Sequence, residues 1–467
     1  LLNIQAGTDV TVTASSPAVC SRTHATQRGR FRSYLLFTLC ASLFLLPFMR
    51  LYLVGTDEGT LDYGAVRVAH GQVFARDFFE VIGPGTFYWL AGFFKLFRVN
   101  FLATRVCLFL TSLGVALLMY LLSRRVCRTY QFLPAIILAS TIFGGLWPAI
   151  SHHADSTFLG LLAVACATQW IEKRSNSLLV AAGAAAGLTT AFLQPKGMLL
   201  FCAILVWLKI LHRRRIASLY SIGAVTAGYL GVVGIVLLYF CTKGALGDLL
   251  FVNFTWPSQH YSNVNSVPYA HGILSNYFDH WIINKNGFRW TIPLAAIVFV
   301  PLLFIAALPA LLIAVAARSG AHSAKPEILL YWLSGSAIWL SELHRMDMPR
   351  LVFGSPLLII LCVYLLTEYR RRLANAALQA LSTTAVCLAT FNLLCVLAGA
   401  HAVKTRIGSV QMFRDAAVLT YLQQHIAPGE EIFAYPYCPR YYFLAAATNP
   451  TPYSILVYNY NTASQFQ

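Results

Sequence analysis

Acidic residues are scarce in this chain, and where they fall is its first chemical signal. Thr56-Asp57-Glu58-Gly59 places adjacent carboxyl groups directly after an apolar run, and Arg76-Asp77-Phe78-Phe79-Glu80 follows ahead of Gly83-Pro84-Gly85. Carboxylates at such a boundary can take a proton from an acceptor hydroxyl or hold a divalent cation. The same residues also suit a solvated acidic loop, so Asp57, Glu58 and Glu80 stand as candidate catalytic groups. A further acid, Asp155, ends the segment Ser151-His152-His153-Ala154-Asp155. Together Asp57, His153 and Asp155 could offer the N and O ligands of a divalent-metal site, so a divalent cation is the one cofactor these residues suggest, with metal-independent chemistry the alternative. Adjacent histidine side chains diverge, so only one of the pair would ligate.

Basic residues supply the complementary chemistry. Lys196, in Gln194-Pro195-Lys196-Gly197, and the group His344, Arg345 and Arg350 could neutralise charge growing on a leaving phosphate. The alternatives are a lysine snorkelling to lipid headgroups and a surface ion pair around His344-Arg345-Met346-Asp347. Trp256 and Tyr261 belong to an aromatic-rich segment that also holds His260, Tyr269, His271, Tyr277, Trp281 and Trp290. Flat aromatic faces suit sugar rings and prenyl chains, and equally an interfacial aromatic belt, which fits Trp281 and Trp290 better.

The elements that must position these groups are membrane helices. Hydrophobic residues form 58% of the chain and charged residues 11%, against about a quarter charged in soluble domains. Apolar runs near the length that crosses a hydrocarbon core fall at 33–54, 101–122, 131–150, 155–171, 178–194, 197–211, 219–240, 291–317, 328–341, 350–367 and 374–399. Basic clusters follow every even-numbered run: Arg124, Arg125 and Arg128, then Lys173 and Arg174, Arg213 to Arg215, Arg318 and Lys325, and Arg370 to Arg372. That is the pattern of cytoplasmic loops. It predicts an all-α polytopic membrane protein of about eleven spans, N-terminus cytoplasmic and C-terminus outside. The net charge of +17 then reflects topology signals and contacts with membrane lipids, with no nucleic-acid partner.

The predicted organisation is a cytoplasmic tail over 1–32, a transmembrane domain over 33–399 and an extracytoplasmic segment over 400–467. No signal-peptide pattern precedes the first run. The first residue is Leu1 rather than Met, so the true start is expected upstream, and the C-terminal segment, which stops at Gln467, is expected to be truncated. Two long extracytoplasmic loops are expected, 55–100 and 241–290. Within the first, Thr86 to Phe97 is apolar but too short to span, and is expected to lie in the interface as an amphipathic helix. In the C-terminal segment, Ile432 to Tyr435 reads as a strand and Pro439 to Ala447 as a short helix, a small αβ domain. The eleven cysteines lie mostly inside apolar runs and include no CxxC pair, so they predict buried hydrophobes rather than a zinc or disulfide framework.

The order of these features resembles a known family. A short tail, a first span, an acidic pair, the run Gly71-Gln72-x-Phe74-Ala75-Arg76-Asp77-Phe78-Phe79-Glu80-x-x-Gly83-Pro84 and an aromatic amphipathic helix resemble the first loop of GT-C membrane glycosyltransferases. The likeness is to the protein O-mannosyltransferase and lipid A aminoarabinose transferase group. That resemblance implies a GT-C fold and transfer of a sugar from a polyprenyl-phosphate donor to a lipid, glycan or protein acceptor. The transfer would take place on the outer face of the membrane, in a single inverting step, with the bacterial inner membrane as the expected location. It also implies that Asp57 is the first-loop acid at the reaction centre, that Glu58 completes the pair, and that Glu80 is the acid before a Lys-Pro-Pro-like segment. Asp155 takes the place of the group's second acid, and Gln194 to Gly197 resembles its Thr-Lys-Gly signature. Val81-Ile82-Gly83-Pro84 lacks the family's lysine, which leaves Lys196 as the expected phosphate contact.

Two other classes share the span count. A transporter or flippase of a lipid-linked substrate would show internal repeats and charges near mid-membrane. A non-catalytic assembly subunit would have no use for Asp57. A transferase should instead show one outward cavity that joins Asp57 to a lipid-accessible groove.

Overall fold

The computed structural model describes residues 17–52, 57–127, 129–140, 148–261, 325–369, 371–412, 416–457 and 460–462, with isolated positions at 267, 269, 301, 302, 305 and 465. The expected span at 291–317 and the aromatic residues His271, Tyr277, Trp281 and Trp290 lie outside this set or almost wholly so.

The chain opens with α1 (Pro17–Leu45), which begins inside the segment expected to be a polar tail, and a 3-10 turn over Leu46–Arg50. Next come α2 (Asp57–Ala69), α3 (Gly85–Phe97), α4 (Phe101–Val126) and α5 (Leu133–Leu138). After them run α6 (His152–Lys173), α7 (Asn176–Phe192), α8 (Gln194–Arg213), α9 (Leu219–Thr242) and α10 (Leu246–Leu250). Beyond the segment outside the description stand α11 (Pro326–Ser341), α12 (Met348–Gly354), α13 (Pro356–Tyr369) and α14 (Arg371–Gly399). A hairpin of β1 (His401–Thr405) and β2 (Gly408–Met412) follows, then α15 (Ala417–His425) and α16 (Arg440–Leu444).

Local chemistry sets the helix starts. Asn100 accepts from the Ala103 N–H at 2.9 Å, Ser151 from the His153 N–H at 3.3 Å, and Asp347 from the Arg350 N–H at 3.4 Å. Each replaces a missing intrahelical partner in the first turn. Pro195 and Pro326 open α8 and α11, where a missing N–H costs nothing.

Among the described residues, five helices are long and apolar enough to cross a membrane: Phe31–Arg50, Phe101–Val126, His152–Lys173, Gln194–Arg213 and Leu219–Thr242. A sixth forms if α12 and α13, bent by 63°, count as one span. The runs expected at 178–194 and 328–341 are helices of 17 and 16 residues. α3 has 13 residues and, at 1.5 Å per residue, reaches about 20 Å, short of the roughly 30 Å core.

Helices approach most closely where side chains are absent. A Cβ on Gly183 would sit 2.0 Å from the Val225 carbonyl oxygen, and one on Gly228 would sit 2.1 Å from that of Val180. α7 and α9 therefore pack backbone to backbone, the small-residue contact favoured in membranes.

The C-terminal segment folds onto the first loop. A Cβ on Gly59 would lie 2.5 Å from the Arg440 nitrogen, so α2 and α16 touch directly. The Tyr63 hydroxyl accepts from the Asn449 N–H at 2.7 Å, and Arg67 donates to the Thr451 carbonyl at 3.1 Å. The strand expected at Ile432 to Tyr435 does not form. Only one bridge, Glu431 to Thr448, runs there, and the Ala434 N–H donates to the Tyr442 side chain instead of a strand partner. The strands lie earlier, in the β1–β2 hairpin. The expected helix is real but shorter, Arg440–Leu444.

Candidate active site

One cavity of about 700 Å³ gathers the chemistry-bearing residues of five distant segments. Asp57 and Glu80 reach it from the first loop, His152 and His153 from the start of α6, and Tyr261 from a π-helical turn over Pro257–Tyr261. His344, Arg345 and Arg350 line it from the α11–α12 junction, and Tyr437 from the C-terminal segment.

Asp57, expected directly after the first span, opens α2, and the 3-10 turn over Leu46–Arg50 ends the first helix before it. A helix N-terminus favours a carboxylate there. The Tyr437 hydroxyl donates to Asp57 Oδ1 at 2.8 Å, and burial holds the phenol well above its ordinary pKa, so it stays a donor. Asp57 also interacts electrostatically with Arg350.

Glu80 is buried, at 1% exposure, and its Oε1 has no hydrogen-bond partner among the described residues. Burial raises its pKa to about 8, against the smaller pull of Ser454 and Arg67. It is therefore mostly a neutral carboxylic acid at pH 7, able to donate a hydrogen bond into the cavity.

The lining also carries cationic groups, Arg345 and Arg350. Arg345 Nε lies 3.0 Å from Asp347 Oδ2, and Arg350 pairs with the same carboxylate. Two guanidinium groups against one carboxylate leave one positive charge in excess, which suits an anionic ligand. Arg350 Nε also donates to His153 Nε2 at 3.1 Å. The His153 ring is nearly parallel to those of His344, centroids 5.9 Å apart, and Phe353, 6.2 Å apart.

Four expected site residues lie outside the cavity lining. Glu58 is fully buried, accepting from Arg105 Nη2 at 2.5 Å and from the Ile150 N–H at 3.0 Å. It ties α2 to α4 and to the segment before α6, so it is a structural acid and not half of a catalytic pair. Asp155 is engaged at both oxygens, by Thr86 at 3.0 Å and Thr111 at 3.1 Å, and is likewise structural. Lys196 is fully buried, with its Nζ 2.5 Å from Glu342 Oε1. Trp256 is fully buried too and packs against Phe79, His260 and Tyr460.

The metal set expected from the sequence does not assemble, because Asp155 is turned to its threonines. Among the described residues, His153, Glu342 and His344 come close enough to share an ion, with ligand atoms within 4.8 Å. That group is already engaged, however. His153 Nδ1 lies 2.8 Å from Glu342 Oε2, His153 Nε2 accepts from Arg350, and the Lys196 ammonium sits on the other Glu342 oxygen. A cation at this group would meet the fixed positive charge of Lys196, while His153 Nδ1 and both Glu342 oxygens make no hydrogen bond among the described residues.

Sequence reasoning missed Glu342 and Tyr437. For Glu342 a signal existed: a lone acid beside an apolar helix, in a chain otherwise poor in acids, is costly unless it has a purpose. Nothing local marks Tyr437.

With this geometry in place, the chain can be set beside known structures. A crystal structure of ArnT from Cupriavidus metallidurans bound to undecaprenyl phosphate aligns over 90% of this chain and 85% of that chain, with TM-score 0.55 and 13% identity. The chain has the ArnT fold. An apo structure of the same ArnT aligns over 91% of this chain and 86% of that chain, with TM-score 0.47 and 13% identity. No family model and no curated protein sequence matches the chain. The ArnT fold is the one implied by the resemblance to the lipid A aminoarabinose transferase group, and identity this low carries fold alone.

Proposed function

We propose that this protein is an integral membrane glycosyltransferase that moves a sugar from a polyprenyl-phosphate donor to the hydroxyl of a lipid, glycan or protein acceptor. The observation that carries the reading is that one cavity is lined by the Asp57 carboxylate together with Arg345 and Arg350. The ArnT fold supports it, and the ArnT of that fold was crystallised with undecaprenyl phosphate, a polyprenyl phosphate.

In this reading the acceptor hydroxyl loses its proton to Asp57 as its oxygen bonds to the anomeric carbon. The bond from that carbon to the phosphate oxygen breaks, its electron pair leaves with the phosphate, and the anomeric centre inverts. Arg345 and Arg350 stabilise the charge that grows on the leaving group, where low dielectric makes such contacts strong. Glu80, holding its proton, can donate to a sugar or acceptor oxygen. Tyr437 orients Asp57. Tyr261 offers a flat face for the sugar. The protein would sit in a bacterial inner membrane, N-terminus in the cytoplasm and the cavity opening outside.

The deciding experiment incubates the purified chain, in nanodiscs, with radiolabelled polyprenyl-phosphate sugars and a bacterial envelope extract. Label should pass to an extractable acceptor, with free polyprenyl phosphate released. In sealed proteoliposomes of the same protein, label that crosses the bilayer without changing its chemical form would instead establish a transporter.

A further inference from the structure

Lys196 poses a question that the transfer reaction leaves open: a fully buried ammonium that does not line the cavity cannot touch a ligand there. Burying such a charge costs several kcal/mol unless partners surround it. Its Nζ has three, Glu342 Oε1 at 2.5 Å, Thr157 Oγ1 at 2.9 Å and the His153 carbonyl at 3.3 Å.

The contacts continue beyond that pair. Glu342, also fully buried, turns its other oxygen to His153 Nδ1 at 2.8 Å. That contact is an ion-pair approach without an aligned N–H···O bond. The tautomer follows from Arg350, whose guanidinium only donates, so Nε2 presents a lone pair and Nδ1 carries the imidazole proton beside the carboxylate. Arg350 Nε donates to that Nε2 at 3.1 Å. Ammonium, carboxylate, imidazole and guanidinium thus alternate, and each link has only one workable polarity. A half-turn of the ring would keep its parallel packing on His344 and Phe353 but would take Nε2 away from Arg350 and Nδ1 away from Glu342.

We infer that Lys196 is a positioning residue that acts through Glu342 and His153 to hold the Arg350 guanidinium at the cavity wall, facing a phosphate monoester or diester. The identity of that ligand rests on the proposed function, whereas the relay does not. Without the relay, the guanidinium is held in place by Asp347, which it shares with Arg345. The pattern is the one by which groups outside a site fix the donors within it.

The test uses the full chain in nanodiscs and three variants: Lys196→Met with Glu342→Leu, His153→Phe, and all three changes together. Removing both buried charges at once leaves neither unpaired, so the first variant should melt close to the original protein. Binding of undecaprenyl phosphate should weaken about tenfold in that variant, the fold-change expected for loss of a hydrogen bond to a charged group. His153→Phe should weaken it similarly, and the triple variant no further. Losses that multiply in the triple variant, or a first variant that binds normally at matched melting temperature, would overturn the relay. Nitrogen-15 spectra of labelled histidines supply a ligand-free readout. The His153 signals, identified by their loss in His153→Phe, should show the Nδ1-protonated tautomer, and an Nε2-protonated ring would also overturn the relay. If the original protein bound no polyprenyl phosphate, the proposed function would fail, and these spectra would still decide the relay.

Discussion

The Tyr437 hydroxyl donates to Asp57 Oδ1 at 2.8 Å across 380 residues of chain. The segment between α15 and α16 thus lines the site that the first loop opens. A hydrogen bond to a carboxylate contributes about 1.5–3 kcal/mol. Tyr437→Phe, which keeps the ring and removes the donor, should slow sugar transfer by roughly 10- to 100-fold. Rates from purified protein at matched melting temperature check this, and an unchanged rate would mean that α2 alone aims Asp57.

Asp57 and Asp77 provide an internal contrast within one loop. Asp57 lines the cavity, whereas Asp77 is tied to Arg76 at 2.8 Å and to the Val73 N–H at 2.7 Å. Positioned proton transfer is typically worth about 10² to 10⁴ in rate, so Asp57→Asn should lose activity on that scale with its fold intact. Asp77→Asn weakens a partly exposed pair worth about 1 kcal/mol or less and should remain active. If the two variants lost activity equally, Asp57 would no longer be the base.

The Glu58–Arg105 pair predicts a stability effect without a catalytic one. Both side chains are buried, and Arg105 also lies 4.3 Å over the Phe101 ring. Arg105→Met leaves a buried carboxylate unpaired and should cost about 3–5 kcal/mol. Adding Glu58→Gln removes that charge while keeping an acceptor for the Ile150 N–H, and should restore much of the loss. Thermal unfolding of the single and double variants measures this. A double variant no more stable than the single one would show that the damage is lost packing rather than an orphaned charge.

Residue type and order along the chain revealed the groups that reach the cavity on their own segments: Asp57, Glu80, Tyr261, His344, Arg345 and Arg350. The same logic named Glu58, Asp155 and Lys196, and the structure turns all three inward. The difference lies in partners that sequence order cannot show. Arg105 meets Glu58 from 47 residues away, and Thr86 meets Asp155 from 69. A buried acid and a catalytic acid look alike in one dimension, and only the partner tells them apart. Composition and the length of the apolar runs revealed the membrane class, whereas Ile432 to Tyr435 misled because the Ala434 N–H finds a tyrosine hydroxyl instead of a strand partner.

Glu80 links the site to pH. Burial raises its pKa from the ordinary 4.5 to about 8. Below pH 4.5 the carboxyl is neutral in folded and unfolded chains alike, so burying it carries no ionisation penalty. Between 4.5 and 8 the unfolded chain releases the proton and the folded chain keeps it. Stability therefore falls as pH rises through this window, by an amount on the order of 1.4 kcal/mol per unit of pH. Above about 8 the folded form ionises too, and the loss levels off. Glu80→Gln carries a neutral group of similar shape that does not titrate, so the variant should gain on the original protein as pH rises. Melting temperatures of both, measured at pH 5, 6.5 and 8, should show a difference that grows in favour of the variant. A difference independent of pH would mean that Glu80 is ionised in the folded protein across the whole range, and its part as a hydrogen-bond donor in the cavity would fall with it.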